Sequence, residues 1–167
     1  MEIRVLKEED IEDVQEFLFN VIEEDFGYQY NPVWHADIVK MKEFYIQDPR
    51  SHFLVGWDEN GNIVGTIAIR KYNNNYPELN HLYSGKPTSM ICRHFVAKAL
   101  RNKRVGTVLL KAMESYARES GVSILYLHTQ TTVPGSLEYW KAKGYIITLE
   151  MKDELRTVHL DKHLLAN

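Results

Sequence analysis

Arg101-Asn102-Lys103-Arg104-Val105-Gly106-Thr107 is the segment of this 167-residue chain best suited to chemistry. It carries three cations and one glycine, and the apolar run Val108-Leu109-Leu110 after it reads as the body of an amphipathic helix. The opening turn of a helix leaves backbone N–H groups without partners, and the helix dipole adds positive charge at that end. A turn of this kind holds phosphate or pyrophosphate mainly through backbone. Lys98, Arg101, Lys103 and Arg104 form the clearest basic patch, whose alternative reading is a solvated charged face.

Upstream, the strand expected over Met90–Ala97 alternates, so Met90, Cys92, His94 and Val96 should share one face. His94 is then a candidate general base, with an unperturbed pKa near 6.5. The alternative is a histidine satisfied by nearby backbone or solvent. The lone Cys92 excludes an intramolecular disulfide and reads as a small core residue rather than a nucleophile. No metal is expected: His159 and His163 have helical metal spacing, but a strand is predicted there. Gly85-Lys86 lacks the first glycine of a P-loop, since Asn80 stands in its place.

These groups need elements to position them. Glu2–Leu6 alternates as a first strand, and Asp10 can cap a helix burying Ile11, Val14, Leu18, Val21 and Ile22. The spacing predicts a second helix over Trp34–Tyr45, with Ile38, Met41 and Tyr45 inward. His52–Trp57 and Ile63–Ile69 flank an Asn60-Gly61 turn, the signature of a hairpin. Lys71–Thr88 reads as a long loop. A helix over Val105–Glu119 should bury Val105, Val108, Leu109, Ala112 and Tyr116. Ile124–Thr129 is a buried strand, a helix runs from Pro134 to Gly144, and Tyr145–Leu149 pairs with Thr157–Leu160.

Strand–helix–strand around 90–129 is a parallel crossover flanked by hairpins. The fold expected is α/β: a mixed, mostly antiparallel central sheet with a parallel strand–helix–strand core and helices on both faces. Neither linker nor repeat interrupts it, so one domain is expected over 1–167. Hydrophobic content is 44%, charged content 26% and net charge −3, which favours neither nucleic acid nor an anionic membrane. No leader peptide or membrane-length apolar run is visible, and a cytoplasmic location is the expectation. An exposed edge strand near the C-terminus could support a homodimer.

Arg101-x-x-Arg104-x-Gly106 resembles the R/Q-x-x-G-x-G/A signature of the GNAT superfamily of N-acetyltransferases, with Arg104 where the first glycine usually stands. If that position requires positive φ, a side chain there carries a cost. Tyr139-Trp140-Lys141-Ala142-Lys143-Gly144-Tyr145 is similar to the family's Y-x-x-x-G-F/Y element, and Val158–Lys162 resembles its last strand. The resemblance implies acetyl-coenzyme A as co-substrate. Arg101, Asn102, Lys103, Arg104, Val105, Gly106 and Thr107 would hold the pyrophosphate, and Phe95, Val96 and Ala97 the pantetheine arm. A primary amine of a small molecule or peptide would then attack the thioester directly. Trp140 stands where many members carry a tyrosine that protonates the thiolate, which leaves the neighbouring Tyr139 as the candidate acid. Met90 stands where some members carry a glutamate, which leaves His94 as the candidate base. The same departures suit a non-catalytic acyl-coenzyme A sensor. An unrelated phosphate-binding domain would share only the strand–loop–helix.

Overall fold

The computed structural model describes residues 1–164. Among them, the elements in chain order are β1 (Glu2–Val5), α1 (Ile11–Phe26), α2 (Ala36–Val39), β2 (His52–Trp57), β3 (Ile63–Lys71), α3 (Pro77–Tyr83), β4 (Thr88–Val96), α4 (Val105–Glu119), β5 (Ile124–Gln130), α5 (Ser136–Ala142), β6 (Ile146–Glu150) and β7 (Thr157–His163). They build one seven-stranded sheet in the order β1-β2-β3-β4-β5-β7-β6. The β4–β5 ladder is parallel, while β1–β2, β2–β3, β5–β7 and β6–β7 are antiparallel. This is the mixed sheet the sequence predicts.

By contact density the chain divides into two compact units. One comprises Met1–Arg70 with Cys92–Met113, the other Lys71–Ile91 with the residues from Glu114 onward. In the first unit, Val14, Leu18 and Ile22 of α1 join Ile38, Met41 and Tyr45 against Phe53 and Val55 of β2 and Ala68 of β3. Gly65 lies on the opposite face of β3, because side chains alternate along a strand. A Cβ there would sit 2.8 Å from Leu109 Cδ1 on α4 and 2.9 Å from the Phe95 carbonyl oxygen. Helices therefore cover both faces of this part of the sheet.

Local chemistry departs from expectation in several places. The Asp10 carboxylate does not cap α1; it accepts the Lys7 N–H at 3.0 Å and closes a 3₁₀ turn over Glu8–Asp10. The single helix expected over 34–45 is broken into α2 and a π turn at Lys42–Ile46. Gln15 Nε2 donates to the carbonyls of Ile38 and Val39, satisfying acceptors that a continuous helix would have used itself. Ile38, Met41 and Tyr45 are nonetheless buried, as the spacing requires. On α4 the buried stripe is Leu109, Leu110, Met113 and Ala117, about one residue round from the predicted one, and Val108 is 45% exposed. Buried Glu114 extends that stripe, and its charge conceals the true face from a hydrophobicity reading.

In the second unit the loop expected over 71–88 contains α3. Pro77 starts it, and Leu79 and Tyr83, one turn apart, pack with Tyr72 against Ile124 and Tyr126 of β5. With only two deeply buried positions, the helix leaves little periodicity to read. α5 begins at Ser136 rather than Pro134, because Gly135 adopts φ +79° just before it. Glu114 accepts hydrogen bonds from Tyr145 Oη at 3.1 Å and Lys162 Nζ at 3.0 Å. Lys162 also donates to the Lys143 carbonyl at 3.0 Å beside Gly144, whose φ is +88°.

Candidate functional site: the β4–α4 loop

β4 runs into the candidate anion site with an irregularity at its centre. Arg93 has φ +51°, the left-handed region that a side chain rarely enters. Strict alternation ends there. Cys92 and Phe95, three residues apart, both pack against the core beneath α1, so Cys92 and His94 do not share the predicted face. The Arg93 carbonyl accepts the Thr66 hydroxyl at 2.7 Å, and the Ala97 N–H donates to the Val64 carbonyl at 2.9 Å.

Beyond Ala97 a 3₁₀ turn at Lys98–Leu100 leads into Arg101–Arg104, all four of which are exposed. Asn102 (φ +63°) and Arg104 (φ +66°) are both left-handed. Asparagine tolerates that region; arginine does so at a cost. The departure from glycine at 104 thus falls on a residue whose backbone takes the conformation glycine favours. The first helical bond of α4 runs from the Val108 N–H to the Arg104 carbonyl, at 3.0 Å. The amides of Val105, Gly106 and Thr107 precede that bond, and helix geometry offers them no intrahelical acceptor. They and the dipole suit an anion.

Arg101 is turned back from this mouth. Its guanidinium pairs with Asp25 in the last turn of α1, and its Nε donates to the Val96 carbonyl at 3.2 Å. It ties the loop to the end of β4 and to α1, which leaves Lys103 and Arg104 as the more outward cations. The pairing joins residues 76 apart, and no local pattern announces it.

His94 Nδ1 lies 3.2 Å from the Thr66 carbonyl. A carbonyl only accepts, so Nδ1 carries the proton and Nε2 the lone pair. Burial lowers this ring to about 4, outweighing that hydrogen bond, and keeps it neutral near pH 7. Burial, with the neighbouring Asp37 charge, pushes the Cys92 thiol up to about 11, so it is not a thiolate nucleophile at neutral pH.

In the second unit, Trp140 is buried edge-on against Tyr145, with ring centroids 5.2 Å apart. Tyr139 is half-buried, and the Lys143 ammonium lies 5.3 Å from its ring centroid. The Tyr139 and Trp140 rings meet edge to face, 5.1 Å apart between centroids, but differ in burial, as the 100° step along a helix allows. A polar core that the sequence did not reveal lies nearby. Tyr126 Oη and His159 Nδ1 are 2.7 Å apart, His159 Nε2 is 3.0 Å from Met151 Sδ, and Tyr83 donates to Asp161 at 3.1 Å. His159 is held in this network rather than paired with His163 for a metal. Among the described residues, no group of three or more His, Cys, Asp or Glu could hold a metal ion.

The model of the Acetyltransferase (GNAT) family matches residues 16–145. The chain belongs to the GNAT acetyltransferase family. Membership implies acyl transfer from acetyl-coenzyme A. No curated protein matches this GNAT protein. Its fold is similar to a GNAT acetyltransferase of Staphylococcus aureus Mu50, with TM-score 0.79 and 19% identity over 98% of this chain and 99% of that one. An aminoglycoside 6′-N-acetyltransferase complexed with coenzyme A has TM-score 0.74 and 14% identity, over 100% and 99%. Spermidine N-acetyltransferase of Vibrio cholerae, in complex with coenzyme A and spermine, has TM-score 0.73 and 14% identity, over 98% and 95%. No helix among this protein's described residues is long and apolar enough to cross a membrane.

Proposed function

We propose that this GNAT protein transfers an acetyl group from acetyl-coenzyme A to a primary amine by direct attack, acting as one domain in the cytoplasm without a metal. The observation that carries this is the loop 101–107, where left-handed residues at 102 and 104 lead into the first amides of α4, for which helix geometry offers no intrahelical acceptor. In this reading Asn102, Lys103, Arg104, Val105, Gly106 and Thr107 hold the pyrophosphate, with Arg101 bracing the loop. Phe95, Val96 and Ala97 hold the pantetheine arm as an added strand would be held. A backbone N–H near Val96 polarises the thioester carbonyl. His94 is the candidate acceptor of the amine proton, a weak base given its burial. Tyr139 is the candidate donor to the departing thiolate.

Calorimetric titration with acetyl-coenzyme A tests the coenzyme site, with 3′-dephospho-coenzyme A and ATP as controls. Micromolar binding is expected that survives loss of the 3′-phosphate and that ATP does not match. Gly106→Asp should weaken it by about tenfold or more, roughly 1.4 kcal/mol. An acidic residue suits a helix N-terminus, so the fold is kept while the anion is repelled. Absence of binding would sink the reading. Thiol release with spermidine, an aminoglycoside and peptides with a free N-terminus then searches for the acceptor. The rival reading, a coenzyme A sensor without turnover, draws on the buried indole of Trp140 and the apolar Met90 at the two positions named above. Binding without thiol release across the panel would favour it.

A further inference from the structure

Arg93 holds a left-handed conformation in the middle of a strand, and something must keep it there. Its guanidinium is clamped by three hydrogen bonds to two groups. Nε donates to Asp37 Oδ2 at 2.9 Å and Nη2 to Asp37 Oδ1 at 2.7 Å, a two-point fork, and Nη2 also donates to the Trp34 carbonyl at 2.7 Å. Tyr45 Oη donates to Asp37 Oδ2 at 2.5 Å, and the Thr66 hydroxyl fixes the Arg93 carbonyl from β3. Asp37 is 4% exposed. Burial alone would raise its carboxyl; the Arg93 bonds and charge, helped by Tyr45, outweigh this and leave it below the ordinary carboxylate range. A buried ion pair is a poor device for stability, because desolvation cancels most of the attraction. What the fork delivers is orientation, since a planar guanidinium held at two points cannot rotate. The residue so held is the one at which β4 breaks alternation, two positions before the segment Phe95–Ala97.

We propose that Asp37 and Arg93 are positioning residues for acyl transfer, their ion pair holding the left-handed turn in β4 that aims the backbone of Phe95–Ala97 at the thioester. Neither residue reacts. Tyr45 and Thr66 support the same conformation from the two neighbouring elements. The proposal rests on the acetyl-coenzyme A reading, while the pyrophosphate loop stands several residues further on. Loss of the clamp should therefore separate carbonyl polarisation from coenzyme affinity.

The probe is acetyl-coenzyme A labelled with ¹³C at the thioester carbonyl, read by infrared difference spectroscopy alongside calorimetry. Bound to the unaltered protein, the carbonyl band should move to lower frequency. In Asp37→Asn most of that shift should vanish, while the dissociation constant changes less than about threefold. Adding Arg93→Gly to Asp37→Asn should restore much of the shift, because glycine adopts this backbone conformation without a clamp. Thr66→Val, nearly isosteric, should lose part of the shift, and it decides the matter if Asp37→Asn does not fold. The clamp is refuted by a shift that persists in Asp37→Asn or, where that variant does not fold, in Thr66→Val. It is equally refuted by affinity falling in step with the shift, or by failure of the glycine rescue. Absence of coenzyme binding by the unaltered protein would instead refute the reading on which the clamp rests.

Discussion

Arg104 and Arg93 are both arginines at positive φ, at +66° and +51°, and their surroundings are opposite. Arg93 is gripped by a buried carboxylate, while Arg104 lies exposed on the loop. A non-glycine residue in the left-handed region costs roughly 1–2 kcal/mol, and glycine recovers part of that. Arg104→Gly should therefore stabilise the protein by about 1 kcal/mol, read as a higher urea midpoint at unchanged slope. Acetyl-coenzyme A affinity should change by less than about threefold, because backbone amides rather than the guanidinium hold the pyrophosphate in the proposed site. A tenfold loss would show that the side chain is itself a ligand. The substitution was legible in the sequence as a departure from glycine. The conformation behind it was not, because φ is set by how the loop closes between β4 and α4.

At the scale of elements, strands and helices with a strong local signal appeared where their residues placed them. The Asn60-Gly61 hairpin, α1 with its Val14, Leu18 and Ile22 stripe, and the extent of α4 all follow from turn chemistry and periodicity. Elements whose form depends on distant partners did not. The break after α2 needs Gln15 from α1 to take up its carbonyls, and α3 is shaped by packing against β5. The buried face of α4 includes Glu114 because Tyr145 and Lys162, far along the chain, neutralise its burial. The approach of β3 to β4 and α4 at Gly65 belongs here too. A methyl group added there would meet Leu109 at 2.8 Å and a backbone oxygen at 2.9 Å, and the backbone has no cheap way to give. Gly65→Ala should destabilise by about 1–3 kcal/mol in chemical unfolding. It should also reduce the carbonyl shift of bound acetyl-coenzyme A, since the obstructed carbonyl is that of Phe95. Unchanged stability would mean that the contact gives way more easily than its geometry suggests.

For the molecule as a whole, acid sensitivity follows from histidines that burial lowers, most of all His94 in one unit and His159 in the other, with His35, His52 and His128 shifted in the same direction. Burial lowers both His94 and His159 to about 4, and in the unfolded chain each titrates near 6.5. Between those values the unfolded state binds the proton and the folded state does not. Stability should therefore fall as pH drops from 6.5 towards 4, by up to about 1.4 kcal/mol per pH unit for each histidine; below 4 the histidine contribution levels off and protonation of low-lying carboxyls such as Asp37 continues the loss. Urea unfolding across that range should show the slope, and His159→Gln should reduce it; a slope unaffected by that change would contradict the assignment. Family and sheet composition were determined by the sequence itself, because each rests on contiguous residues whose types act locally: periodic apolar positions, a turn pair, a basic run opening a helix. The tertiary structure alone decided which side chains meet. Asp37 with Arg93, Tyr126 with His159 and Asp25 with Arg101 are separated by 56, 33 and 76 positions. Chain closure brings such residues together, and burial then turns ordinary acids, bases and phenols into a clamp, a polar core and a brace.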